Sequence, residues 1–363
     1  MKRTVLLLCG GKSTEHEVSL MSAKFVAQAI NKNRFDVAAV VIGKDGAWHH
    51  IHLKDLIEQN FAGSCFNSSS PDNVIFARKY GNPTLIFEDA NKNIPIDVVF
   101  PIIHGATGED GAIQGFCEIV GVPYVGCDVY SSAVCMDKIF SKQILGQSGI
   151  SVVPFISVNG QHETVPSYSS VTERLKTSNL IIKPSSSGSS IGVSKVICSS
   201  EYHKAIETAF ANGRKLLIEP ALEAREIEVS VLSGQEVRVA AAVGEIIPRH
   251  DFYSYEAKYI DPDGAKLVVP AILRDEVKNR VIETAKSSFI ALGCNGMARV
   301  DFFVTDDDRI YVNEINTIPG FTSISMYPKL WEHSGLCGEE LIDTMIENAI
   351  SNSSTRKSKS AAA

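Results

Sequence analysis

Several absences in the sequence each remove a class of function. Positive charge is not in excess: 35 Lys and Arg stand against 42 Asp and Glu, a net charge of -7, so there is no basic footprint to displace counterions from a nucleic acid. Long apolar runs are missing too. The one near the N-terminus, Val5 to Cys9, is too short for the apolar core of a signal peptide and far below the roughly 20 residues that span a bilayer. The expectation is a cytoplasmic protein with neither nucleic acid nor membrane as partner. The eight cysteines include no CxxC pair and mostly lie in apolar stretches such as VLLLCGG, which reads as reduced, buried thiols rather than a disulfide framework or a zinc site. No GxGxxG fingerprint supports a dinucleotide-dependent oxidoreductase. Gly11-Lys12-Ser13 ends like a P-loop, but Leu6 stands where the first glycine is required, so that reading fails.

What is present is an ordinary globular composition, 44% hydrophobic and 21% charged over 363 residues, which is long enough for two or three units rather than one core. Thr4 to Cys9 is a buried strand pattern, and Val18, Ala23, Val26, Ala27 and Ile30 follow at helical spacing. A second strand is predicted at Phe35 to Ile42, a third in IDVVFPIIHG, and a helix over Gly111 to Val120. This β-α-β order predicts a parallel α/β sheet with functional loops at the strand C-terminal ends. A single helix is expected at about Tyr130 to Gln147, then short strands separated by single helices, and finally MARVDFFV and RIYVNEIN around a turn of three aspartates. That second part reads as an α+β body. The tail SNSSTRKSKSAAA has no apolar face and is expected to be disordered.

Two segments carry chemistry. Glu314 and Asn316 share a face because side chains alternate along a strand. If Asp301 on the preceding strand faces them, three oxygen-bearing groups converge as a magnesium-nucleotide site requires. A solvated polar face of an edge hairpin is the alternative. The loop TIPGFTSIS follows directly and could offer backbone N-H groups to an anion. In KPSSSGSSIGVSKV, Lys183 closes a buried strand before a Ser/Gly loop. Glycine and serine permit close backbone approach to phosphate, and lysine adds a point charge. A flexible linker is the other reading of that loop.

Taken in order, GGKSTEHEVSLMSA, HGATGEDGAIQG, the lysine strand with its Ser/Gly loop, IEPAL, YSYEAKYID, and ARVD with NEINTIPGFTSISMYP resemble the D-alanine-D-alanine ligase family, of the longer variety, over residues 3 to 348. The resemblance implies a pre-ATP-grasp α/β domain (1-137) followed by a two-lobed ATP-grasp fold: a central subdomain (138-217), a C-terminal subdomain with the metal site (218-350), and the tail (351-363). It implies ATP-dependent ligation of two D-alanine molecules through a D-alanyl phosphate, for peptidoglycan precursors. Another ATP-grasp carboxylate-amine ligase is the alternative. A nucleotide-binding module without turnover, or an α/β protein that merely binds an amino acid or sugar, would be of a different class.

Residue by residue, the resemblance assigns phosphate contacts to Lys138 and Lys183, the adenine edge to Glu219 and the Leu222 backbone, and the ribose to Glu226. Asp301, Glu314 and Asn316 match the metal ligands, for two Mg²⁺ ions with Mn²⁺ as a substitute. Glu15 would hold the ammonium of the first D-alanine, with Glu17 structural. His104 would lie near that substrate's carboxylate, oriented by Glu109. Lys258 would reach the transferring phosphate, and Arg299 and the Gly320 N-H would face the oxyanion. Glu15, Ser189 and Tyr259 form the implied hydrogen-bonded set around the attacking amine, and Tyr259 favours an amine over a hydroxy-acid acceptor. Ser325 and the Met326 N-H match the binding site of the second carboxylate. A homodimer is expected by analogy. Ser185-Ser186-Ser187 departs from the charged or amide residue that many members carry before the loop glycine, and Pro220 removes one backbone donor beside the adenine positions.

Overall fold

The buried run at the N-terminus becomes β1 (Arg3–Gly10), followed by α1 (His16–Ala29), β2 (Phe35–Ile42), β3 (Trp48–Ile51) and α2 (Leu53–Glu58). After these come β4 (Asp72–Lys79), β5 (Asn82–Phe87), β6 (Asn93–Pro95), β7 (Val98–Pro101) and α3 (Ala112–Val120). This computed structural model describes residues 2–58, 72–160, 163–248 and 265–360. The seven strands form one sheet in the order β6-β5-β4-β3-β2-β1-β7. β1 pairs in parallel with β2 and β7, whereas β2 through β6 pair antiparallel. The expected parallel sheet is thus a three-stranded parallel core with an antiparallel extension. Antiparallel neighbours need only tight turns. At the β4–β5 turn Tyr80 and Gly81 both take positive φ, as a two-residue hairpin loop of the favoured hand requires.

The middle of the chain supplies α4 (Val129–Met136), α5 (Lys138–Gln147), β8 (Ile156–Val158), α6 (Tyr168–Leu175), β9 (Leu180–Pro184), β10 (Ser194–Val196), α7 (Ser199–Ala211) and β11 (Leu216–Pro220). Its strands pair antiparallel in the order β10-β9-β11-β8. The one helix expected over 130–147 is two, because Asp137 adopts an extended conformation between them and its carboxylate accepts from the N-H groups of Ile139 and Phe140. Aspartate is among the best helix N-caps. β11 continues to Pro220, so the passage to the next sheet falls after that residue rather than at 217.

The last sheet contains β12 (Arg225–Ser233), β13 (Val237–Val239), β14 (Gly244–Pro248), β15 (Ala265–Val268), β16 (Met297–Val304) and β17 (Ile310–Asn316), and α8 (Asp275–Ala291), α9 (Met326–His333) and α10 (Gly338–Ser360) pack around it. Its path is β15-β14-β12-β16-β17, with β13 also on β12. α10 runs on to Ser360, through most of the segment expected to be disordered. Its first turns are anchored by buried Leu341, Ile342, Met345 and Ile346, and once nucleated a helix gains one hydrogen bond for each residue it fixes.

One core joins the first and last units. Leu7, Leu20, Val26 and Phe100 share a buried cluster with Met297, Phe321, Tyr327, Trp331 and Ile342. Arg34 on the first unit also pairs with Asp343 and Glu347 of α10. The middle sheet has a separate core with α6 and α7. A cleft therefore opens between the middle sheet and the last one. Seven cysteines among the described residues are free thiols, and Cys9, Cys117, Cys127 and Cys135 are buried, as their apolar contexts foretold.

Candidate active site

The cleft, about 270 Å³, is lined on the middle-sheet side by Lys183, Glu219 and the Ser187–Ser190 loop, and on the other by Glu226, Glu228, Arg299, Asp301 and Glu314. Lys138 stands at its end, in the first turn of α5. Ile181, Leu222 and Ile246 give part of the wall an apolar face.

The charged groups of the cleft are already paired with one another. Glu219 sits between two ammonium groups, Lys183 Nζ at 2.7 Å and Lys142 Nζ at 2.9 Å. Burial alone would raise its carboxyl, but the two lysines hold it below the ordinary value. Burial pulls Lys142 down to about 8 despite Glu219, with Lys183 adding repulsion. Lys138 Nζ lies 2.9 Å from Glu314 Oε2 and donates to the Ser187 carbonyl at 2.9 Å. Its burial is outweighed by Glu314, so its pKa is raised.

The serine loop is stitched to the same helix end. Ser185 Oγ donates to Asp137 and its carbonyl accepts from Lys138 N, while Lys215 pairs with the other Asp137 oxygen. The Ser185 hydroxyl thereby ties the loop to the start of α5, where Lys138 enters the cleft.

Strand pairing brings Asp301 opposite Glu314 and Arg299 opposite Asn316. Arg299 holds Asp301 with two 2.7 Å hydrogen bonds and lies 3.1 Å from Glu228. Asn316 Nδ2 donates to Asp301 at 2.9 Å, which leaves its amide oxygen as a potential ligand. Two carboxylates and an amide oxygen on facing strands are hard donors suited to magnesium. Among the described residues no group of three or more His, Cys, Asp or Glu is placed to hold a metal ion.

A second cluster of polar residues adjoins this cleft. Glu15 stands at the residue before α1, makes no capping hydrogen bond with its side chain, and is buried. Ser189 Oγ donates to Glu15 Oε1 at 2.5 Å, and Ser189 and Ser190 both hold positive φ, a strained conformation that tends to cluster at functional sites. Gly105 and Gly188 flank the Glu15 carboxylate, and a Cβ at Gly105 would lie 2.8 Å from Oε2. Glu17 instead faces outward to Lys44. His104 is buried, with Glu109 Oε1 at 3.7 Å. Burial disfavours its charge, but Glu109 and then Glu15 lift its pKa above the ordinary value, and burial raises the Glu109 carboxyl.

The loop after β17 completes the wall. A Cβ at Gly320 would lie 3.0 Å from Ser325 Oγ, so the two residues adjoin. Ser325 precedes α9, whose first N-H belongs to Met326, and a helix N-terminus favours an anion. Lys258 and Tyr259 lie outside the described residues.

The model of the D-Ala-D-Ala ligase N-terminus matches residues 4–127, and that of the C-terminus matches residues 144–347. The chain belongs to the D-Ala-D-Ala ligase family. It is 43% identical over 352 residues to D-alanine–D-alanine ligase A of Salmonella typhimurium, covering 96% of both chains, and 42% identical over the same length to that of Escherichia coli K12. Among solved structures, the D-alanine-D-alanine ligase from Coxiella burnetii superposes with a TM-score of 0.85 at 34% identity, covering 98% of both chains. The VanG D-Ala:D-Ser ligase from Enterococcus faecalis gives 0.82 at 34% identity, covering 96% of this chain and all of that one. Such ATP-dependent ligases use a divalent metal, and no helix among the described residues is long and apolar enough to cross a membrane.

Lys142 and Asn313, like Glu228, went unread in the sequence. Lys142 is one helical turn past Lys138, a spacing that places both on one face, so the signal was there. Asn313 was hidden. Strand alternation would turn it away from Glu314, but a bulge opposite Asp301 and Phe302 leaves it unpaired, and its amide oxygen accepts from Lys183 Nζ at 3.2 Å. Bulges re-aim side chains in this way.

Proposed function

We propose that this chain joins two D-alanine molecules at the expense of ATP, with the cleft holding the nucleotide and the Glu15 cluster holding the first D-alanine. The observation that carries this reading is the Ser189–Glu15 hydrogen bond, since Ser189 also lines the nucleotide cleft and so links the two at one atom.

In this reading Lys138, Lys183 and Lys258 face the phosphates, Glu219 and the Leu222 backbone face the adenine edge, and Glu226 faces the ribose. Because Glu219 carries two ammonium groups, its part is to poise Lys183 as well as to border the base. Asp301, Glu314 and Asn316 hold two Mg²⁺ ions, with Mn²⁺ an acceptable substitute. The ions when bound neutralise charge on the phosphoryl oxygens. Arg299 and Lys138 pair with the same carboxylates, Asp301 and Glu314, that would hold the ions.

The carboxylate of the first D-alanine, its ammonium on Glu15 and its carboxylate end near His104, attacks the γ-phosphorus. An O-P bond forms, the bond to the β-phosphate oxygen breaks, and ADP leaves. The amine of the second D-alanine, its carboxylate on Ser325 Oγ and the Met326 N-H, then attacks the acyl carbon. Arg299 and the Gly320 N-H hold the tetrahedral oxyanion, and phosphate departs. The set Glu15, Ser189 and Tyr259 takes the proton that the attacking ammonium must lose, since free α-amino groups have pKa values near 8.

The units of this reading are residues 1–137, 138–220 and 221–350, the enzyme works as a homodimer, and its compartment is the cytoplasm. Incubation with ATP, Mg²⁺ and D-alanine should release phosphate and a product with the mass of D-alanyl-D-alanine. With D-serine and D-lactate offered at equal concentration, the D-alanine dipeptide should dominate. A mixed product in excess would overturn the acceptor assignment, and absence of phosphate release would overturn the ligase assignment.

A further inference from the structure

The loop that carries Gly320 is fastened to the first unit by three buried hydrogen bonds, two at the Ser22 hydroxyl and one at the far nitrogen of His104. Ser22, on the inner face of α1, is fully buried. Its Oγ lies 2.9 Å from His104 Nε2 and accepts from the Phe321 N-H at 3.2 Å. His104 Nδ1 lies 3.0 Å from the Ile318 carbonyl oxygen.

The proton positions follow from the donors available. Ile318 O can only accept, so Nδ1 carries a proton. With the ring neutral, Nε2 accepts from the Ser22 hydroxyl; with it protonated, Nε2-H donates to Ser22 Oγ; in both states the oxygen takes the Phe321 N-H. Ser22 Oγ, both ring nitrogens of His104, the Phe321 N-H and the Ile318 carbonyl are then all paired. The anchored atoms bracket Gly320: the Ile318 carbonyl lies two residues before it and the Phe321 N-H directly after it. Pro319 between them has no N-H. The Phe321 ring is itself locked against Phe25 and Tyr327, at centroid distances of 6.0 and 5.5 Å. Both nitrogens of His104 are thereby engaged within the protein, which makes it a strut between Ser22 and the loop.

We propose that Ser22 is a positioning residue for the second half-reaction: through His104 and Phe321 it fixes the peptide segment that presents the Gly320 N-H to the tetrahedral oxyanion. This rests on the reading of Gly320 as an oxyanion donor. Without the hydroxyl, Phe321 N-H and His104 Nε2 lose their shared partner inside the core, and the segment between them relaxes. Formation of the acyl phosphate, which generates no tetrahedral carbon, does not call on that donor.

The test separates the two steps on the full-length enzyme. Positional isotope exchange in ATP labelled at the β,γ-bridging oxygen, run with D-alanine, reports acyl phosphate formation, and mass spectrometry reports dipeptide. Ser22→Ala should lower dipeptide kcat by roughly 10- to 100-fold, less than the roughly 100- to 1,000-fold lost when an oxyanion donor is removed outright, because the donor is displaced and not deleted. Isotope exchange and the KM for ATP should stay within roughly threefold of wild type. Ser22→Thr, which restores the hydroxyl, should recover most of the dipeptide rate. Equal losses in exchange and dipeptide, or no loss in either, would overturn the proposal. If Ser22→Ala does not fold, as judged by circular dichroism, Ser22→Cys keeps the shape with a weaker donor and faces the same two outcomes. Failure of the wild-type enzyme to make dipeptide would instead count against the assigned reaction.

Discussion

Glu219 is the single anion between two buried ammonium groups, and the imbalance makes the consequences of removing each partner unequal. The Lys142 and Glu219 side chains are 1% and 3% exposed, and Lys183 is 9% exposed, so water screens none of them well. Lys142→Met leaves a one-to-one pair of Glu219 and Lys183. It loses one charged hydrogen bond, about 1.5–3 kcal/mol, with part of that regained because an ammonium no longer has to be buried. Burial already pulls the Lys142 pKa down to about 8, the mark of a charge held at a cost. A net loss of roughly 1 kcal/mol is expected on that basis. Glu219→Gln leaves two ammonium groups facing each other without an anion, and removing one partner from a buried ion pair costs about 3–5 kcal/mol. Urea unfolding without nucleotide measures both, and the two variants should differ by about 2–4 kcal/mol. Steady-state kinetics adds a second reading. With Lys142 gone, Glu219 holds Lys183 alone and more tightly, so the KM for ATP should rise while kcat changes less. A Lys142→Met enzyme as destabilised as Glu219→Gln would refute the argument, since it would mean that the second lysine balances charge rather than exceeding it.

Two further outcomes follow from the first-substrate cluster. Gly105 has φ of +74° and its Cβ would approach Glu15 Oε2 to 2.8 Å, so Gly105→Ala should cost about 1–2 kcal/mol of backbone strain. It should also raise the KM for D-alanine by roughly tenfold, the equivalent of 1.4 kcal/mol, with the KM for ATP nearly unchanged, and an unchanged D-alanine KM would refute it. The second concerns pH. Burial raises the Glu109 carboxyl, and Glu109 with Glu15 raises His104 against the effect of its burial. Both groups keep protons in the folded state that they have lost in the unfolded one, so their joint contribution to stability is present below the unfolded values and falls as pH rises through the folded ones. Glu109→Gln should therefore gain in melting temperature on wild type between about pH 5 and 8, and parallel melting curves across that range would count against it.

Much of this protein was legible along the chain because its information is local. Buried strands declare themselves as apolar runs, and strand alternation was enough to put Glu314 and Asn316 on one face, while the pairing register set Asp301 opposite Glu314. The ordered motifs then named a family that the full-length matches bear out. Other features needed contacts between distant residues. The break at Asp137 depends on capping that competes with a continuous helical pattern, and the antiparallel half of the first sheet depends on turns more than on the strands themselves.

What the sequence determined by itself, then, was the set of chemical groups and the approximate order of the elements that carry them. The pairing of those groups was settled only by tertiary structure. No spacing could place Lys142 and Lys183 on the same carboxylate, since α5 and β9 must first pack on β11. A bulge of one residue, invisible to alternation, turned Asn313 to Lys183. Ser22 and Phe321 are 299 residues apart. They meet because α1 and the loop after β17 bury their apolar faces in one core, and a hydroxyl inside that core has to find its partners there.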